Sequence, residues 1–217
     1  MASPFVVVQD FISNKFCEEL VDRFRVKTPN LDKEGKPVKL ERILKPEEGQ
    51  DILLSKFYQY ITQIETTYDC LYKGLEQLVV THNPENDKKS AEPTGCENAE
   101  FFRRKWIKKK DVDLTGVLWL KDYNEQGPFD NDFEVYGGKR EYPAYNFSLT
   151  PQRGTLIIHP AGPHFITATS PVVIGDLYQI KFNISVKNKE GGLWDYQPKM
   201  FPASSNNFIQ SWFTDYL

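Results

Sequence analysis

Two aspartates one residue apart, Asp111 and Asp113, stand directly ahead of the stretch Leu114-Thr115-Gly116-Val117. In an extended chain, positions i and i+2 point to the same face, so both carboxylates can approach one ion. Two of the three histidines, His159 and His164, follow in Leu-Ile-Ile-His-Pro-Ala-Gly-Pro-His-Phe-Ile, and Lys181 comes later in Gly-Asp-Leu-Tyr-Gln-Ile-Lys-Phe-Asn-Ile. Carboxylate and imidazole together suit a divalent transition metal with open coordination positions. A fixed cation on a later strand can grip the far carboxylate of an acid bound at that metal. In this reading Asp111, Asp113 or both hold the metal with His164, and His159 is a further candidate. Lys181, with Gln179 and Tyr178 beside it, holds the acid. Taken alone, two aspartates after three lysines also fit a solvated turn, His159 a structural histidine, and Lys181 a surface lysine with a buried stem.

The elements that must position these residues fall into two textures. Phe5 to Val8 reads as an opening strand, and Ser13 or Asn14 then caps a helix with Glu18 and Glu19 in its first turn. Phe16, Leu20, Val21 and Phe24 share one face of that helix. Pro29 to Pro46 reads as a connecting loop. A second helix starts at Pro46-Glu47-Glu48, and apolar residues from Ile52 to Leu78 recur at three- and four-residue steps, a stripe that calls for the outer face of a sheet. A coiled-coil seam is the lesser alternative, because no sustained pattern of opposite charges flanks the stripe. Thr81 to Gly95 is dense in turn formers. Beyond it, Glu100–Trp106, Leu114–Leu120, Gly154–His159, Phe165–Thr169 and Leu177–Val186 read as strands, with a long Gly-, Pro-, Asn- and Asp-rich segment at Lys121–Thr150. Helices first and strands after point to an α+β fold with a β-sandwich or barrel core.

Here the order of parts resembles a known family. Tyr136-Gly137-Gly138-Lys139-Arg140-Glu141-Tyr142-Pro143 is similar to the Gly-Gly-x-Leu-x-Phe strand of the prolyl-4-hydroxylase-like Fe(II)/2-oxoglutarate dioxygenases. Leu149 to Ile158 is similar to that family's Pro-x-x-Gly-x-Leu-x-x-Phe segment, and Val8 to Ile12 resembles its entry into the first helix. The resemblance implies a double-stranded β-helix (jelly-roll) core at 96–187, a mostly helical support region at 1–95 packed on one sheet, and an aromatic extension at 188–217. It implies Fe(II), 2-oxoglutarate as co-substrate, and hydroxylation of a C–H bond of a peptidyl (prolyl among them) or other substrate. It places His164 at the distal iron ligand and Asn124–Glu134 as a lid, with Phe129, Asp130, Asp132 and Tyr136 toward the substrate. Two departures stand out. The family's first metal motif is His-x-Asp, whereas Asp111-Val112-Asp113, or Lys109-Lys110-Asp111, occupies that stretch. The family's 2-oxoglutarate cation falls near Leu177, and Lys181 lies four residues on.

The bulk numbers bound the rest. At 217 residues the chain suits one core, and its 40% hydrophobic and 14% aromatic content favours β-structure. A net charge of −3 gives no global field for nucleic acid or an anionic membrane. Three scattered cysteines read as reduced thiols, and with no export or membrane-spanning segment in view the expected location is the cytoplasm. Two alternatives to a peptidyl oxygenase remain. The missing first histidine fits a non-catalytic jelly-roll binding module. The basic run Arg103 to Lys110 around Trp106 fits an oxygenase acting on nucleic acid. The tail aromatics, Trp194 through Tyr216, are expected to pack over the sheet or form a subunit contact.

Overall fold

The computed structural model describes residues 4–25, 31–85, 99–102, 105–108, 111–124, 134–142, 145–150, 152–162, 165 and 167–188, without the side chains of 99–108 or Asn188. In chain order the elements are β1 (Val6–Val8), α1 (Asn14–Phe24), β2 (Leu40–Ile43), a 3-10 turn (Pro46–Glu48), α2 (Gln50–Tyr58), α3 (Ile61–Tyr68), β3 (Cys70–Leu75) and β4 (Val79–Asn83). There follow β5 (Ala99–Phe102), β6 (Lys105–Lys108), β7 (Leu114–Trp119), β8 (Tyr123–Asn124), β9 (Val135–Gly137), β10 (Arg140–Tyr142), β11 (Phe147–Leu149), β12 (Leu156–Pro160), β13 (Ala168–Thr169), β14 (Val172–Ile174) and β15 (Leu177–Asn188).

A seven-stranded antiparallel sheet runs β1-β12-β7-β15-β4-β2, with β3 pairing the far half of β15. Two three-stranded sheets, β11-β10-β13 and β14-β9-β8, belong to the opposite side of the jelly roll. Every residue of β7 is buried, as expected of a strand covered on both faces. Alternation sends Leu114, Leu118, Leu156, Ile158, Ile180, Phe182 and Ile184 to one face, where they join Leu20, Phe24, Leu53, Phe57 and Ile64 from the helices in one core. Val117, Trp119, Ile157 and Leu177 point the other way, toward Tyr123, Val135, Tyr142 and Val172 of the small sheets in a second core. The fold is α+β with a jelly-roll core and helices on one sheet.

Several local expectations change. The stripe from Ile52 to Leu78 is two short helices and a strand. Asp69 takes a left-handed conformation (φ 47°) that closes α3, and Leu71 and Leu75 then lie in β3. β2 lies within the expected loop at 29–46, and β4 opens where the helical stripe meets the turn-rich segment. At α1 the Ser13 hydroxyl accepts from Phe16 N, but helix begins at Asn14, which moves Glu18 and Glu19 past the first turn.

Candidate functional site

The inner face of the main sheet is laid out in cross-strand rows. One runs Thr81–Gln179–Trp119, the next Val79–Lys181–Val117–Ile157, and the third Asn183–Thr115–His159. Thr81, Gln179, Asn183, Thr115 and His159 are buried, so the floor between the sheets is polar at many of its positions. Asn83 continues it beside Leu177. Among the described residues, the buried Trp119 Nε1, Gln179 Nε2, Asn83 Oδ1 and Asn183 Oδ1 atoms have no hydrogen-bond partner. β12 supplies His159 because its alternation sets Ile157 and His159 on this face.

His159 is 1% exposed, with Phe165 stacked 5.8 Å away and the rings of Tyr142 at 5.1 Å and Phe5 at 6.2 Å. Burial pushes its pKa down to about 3, so the imidazole is neutral. Its Nδ1 lies 2.8 Å from the Pro160 carbonyl oxygen, a contact that requires the proton on Nδ1. The Nε2 lone pair is left buried and without a partner.

The other sequence-derived candidates are spread out. Asp111 is exposed, and its carboxylate meets Lys73 Nζ at 2.5 Å. Asp113 is buried, but its Oδ2 accepts from Val186 N at 2.9 Å, where a bulge at Ser185/Val186 breaks the ladder between β15 and β3. Its backbone pairs with Ile184 and Ala161, so it sits beyond the row of His159 with its carboxylate turned toward β15. Lys181 lies on the inner face, and burial lowers its pKa to about 8 against the pull of Glu41. Gln179 shares that face, whereas Tyr178 points to the helical side and stacks on His82 at 4.6 Å. Leu177, near the register of the family's cation, is fully buried in the second core. In the small sheet Tyr136 points away from Val135, which fills that core. His164, Phe129, Asp130 and Asp132 lie outside the described residues, as do the aromatic tail and half of the basic run.

Among the described residues, no three of His, Cys, Asp and Glu converge on a point that could hold a metal ion. Asp111 and Asp113 are engaged with Lys73 and Val186 and His159 is walled by aromatic rings, while His164 lies outside the described residues.

Two residues that the sequence placed only within the Gly-Gly strand motif, without a role, complete the site. Arg140 is 6% exposed, and its guanidinium donates to Thr169 Oγ1 at 2.9 Å. Tyr142, on the same face of β10, is fully buried, and burial raises its phenol pKa. The alternation Arg-Glu-Tyr was the available signal, with Glu141 alone exposed.

No protein-family model matches the chain, and no curated protein matches it in sequence. Solved structures do. A collagen prolyl hydroxylase of Paramecium bursaria Chlorella virus-1, in complex with 2-oxoglutarate, superposes with a TM-score of 0.60 at 16% identity, over 87% of this chain and 97% of that one. A Pseudomonas putida prolyl-4-hydroxylase gives 0.54 at 13% identity, over 86% and 94%. A Trichoplax adhaerens prolyl hydroxylase, in complex with a hypoxia-inducible-factor peptide, gives 0.50 at 10% identity, over 84% and 83%. With the polar floor, the small sheets above it and the helices behind, the chain has the fold of the prolyl hydroxylases.

Proposed function

We propose that this chain is a ligand-binding jelly roll that takes a small organic acid of the 2-oxoglutarate class between its main sheet and its small sheets. The observation that carries the reading is the pair of buried donors on the inner floor, Trp119 Nε1 and Gln179 Nε2, which have no hydrogen-bond partner among the described residues. Each such atom costs about 1–3 kcal/mol if nothing meets it. A ligand rich in carboxylate and keto oxygens answers the Trp119 and Gln179 donors. The shared fold with a viral hydroxylase solved with 2-oxoglutarate supports this class of acid. Titration calorimetry of the full chain in chelator is the test. Saturable binding of 2-oxoglutarate without metal is expected, and no binding with or without Fe(II) overturns the reading.

A second reading is favoured by the His159 Nε2 lone pair inside the fold and by the neighbour solved with a peptide. It makes the chain an Fe(II)- and 2-oxoglutarate-dependent oxygenase that hydroxylates a C–H bond of a peptide, with His164 as a ligand. An anaerobic titration with Fe(II) and 2-oxoglutarate separates the two. A visible charge-transfer band lost in both His164→Ala and Asp113→Ala establishes the oxygenase, and acid binding without that band leaves the binding module.

A further inference from the structure

We infer that Arg140, on the small sheet, is the carboxylate anchor of this interior, in place of a cation on the strand that carries Leu177 and Lys181. The inference rests on the acid-binding reading above and names the residue that makes it selective for acids.

An arginine cannot shed its charge on burial, because the guanidinium does not deprotonate in a protein. A buried charge without a partner is costly, so a guanidinium that is 6% exposed calls for an anion. Thr169 Oγ1 supplies a neutral acceptor to one terminal nitrogen and the Tyr142 hydroxyl lies beside the guanidinium, but among the described residues the Nε has no partner and no carboxylate pairs with the side chain. The position is built. β10 is held on both sides, Arg140 opposite Leu149 of β11 and opposite Thr169 of β13, so the side chain enters the interior from a strand with neighbours on each edge. Tyr142 stands on the same face with its ring 5.1 Å from that of His159, and the Arg140 guanidinium lies within electrostatic reach of the same imidazole.

The alternatives on the main sheet are weaker. Leu177 is fully buried and apolar. Lys181 is flanked in register by Val79 and Val117 and has Glu41 and Glu76 within electrostatic reach. A guanidinium also presents the planar fork that binds a carboxylate through two parallel N–H donors.

The test uses the full chain, metal-free, with 15N-labelled arginine. The Arg140 Nε–H signal, assigned by its disappearance in Arg140→Lys, shifts on addition of 2-oxoglutarate and not on addition of equal inorganic phosphate. By calorimetry Arg140→Met weakens 2-oxoglutarate binding about 10- to 100-fold, and Lys181→Met weakens it less. The assignment needs only the charge-conserving Arg140→Lys to fold and the shift itself is read on wild type, so misfolding of Arg140→Met does not rescue the inference. If wild type binds 2-oxoglutarate while the Arg140 signal stays still, or while Arg140→Met binds equally well, the anchor is wrong and the acid-binding reading stands. An equal shift with phosphate overturns the assignment to an organic acid. No binding by wild type removes both.

Discussion

The two faces of the main sheet are made by the same strands, residue by residue in alternation, and they have opposite characters. The helical face is apolar: Leu114, Leu118, Leu156, Ile158, Ile180, Phe182 and Ile184 meet α1, α2 and α3, with Phe182 stacked on Phe57 at 5.6 Å. The inner face is just as buried, yet it carries Thr81, Asn83, Thr115, His159, Gln179 and Asn183. Folding alone favours the first arrangement, because apolar surface leaves water at a gain of roughly 25 cal/mol per Å², whereas an unpaired buried polar group opposes it. One face therefore accounts for stability. The other is the face on which the proposed acid would rest.

That contrast predicts opposite responses to substitution. The largest effect belongs to the helical face. Phe182→Ala removes a fully buried ring that touches both Phe57 and Phe11, and is expected to cost about 3–5 kcal/mol in urea unfolding. A loss under about 1 kcal/mol would mean that the helices are not the principal support of the sheet. Next comes Gly154, whose backbone N donates to Trp119 O and whose O accepts from Phe11 N, tying β12 to the turn before α1. Its φ is +74°, and an added Cβ would stand 2.5 Å from Ile12 O. Gly154→Ala is expected to cost about 2 kcal/mol or more, and an unchanged midpoint in the same assay would refute the close approach.

How much of this was legible in the sequence follows from where each signal lived. α1 was readable because Ser13 and the face of Leu20, Val21 and Phe24 are local features. β7 and β12 were readable because largely apolar runs mark strands buried on both sides, and β15 because its apolar residues recur at every second position. The stripe from Ile52 to Leu78 misled because β3 continues a helical spacing by chance, and the break at Asp69 lacks the glycine that usually announces a left-handed cap. Asp111 and Asp113 looked like a matched pair, but pairing i with i+2 requires regular strand through both, and β7 starts only at Leu114. The Arg140 position depends on which face of a three-residue strand turns inward, and composition does not encode that.

On the inner face, pH separates the polar residues from their apolar neighbours. His159 titrates near 6.5 in an unfolded chain and at about 3 when folded. Below 6.5 the unfolded chain binds a proton that the native state refuses, so stability is lost as pH falls from about 6.5 toward 3. The slope reaches up to about 1.4 kcal/mol per pH unit from this one group. Nearby carboxylates add slopes of their own, so the informative quantity is the difference between wild type and His159→Phe. The variant should grow more stable relative to wild type with each step down in pH, with no such trend above pH 7. A flat difference would place the imidazole in contact with water.

The smallest effect is the most pointed one. Gln179 is 8% exposed, and its Nε2 lacks a partner. Gln179→Leu removes that unsatisfied donor and keeps a similar volume between Thr81 and Trp119, so it should leave stability unchanged or raise it by up to about 1 kcal/mol. On an ordinary core face, a substitution this conservative has no further consequence. Here the same variant is expected to weaken 2-oxoglutarate binding measurably, because the amide that is idle in the free protein is the one the ligand uses. Stability gained together with affinity lost would mark Gln179 as held in place for binding. A loss of stability instead would mean that the amide already has a structural partner, and the difference between the two faces would narrow at its most telling position.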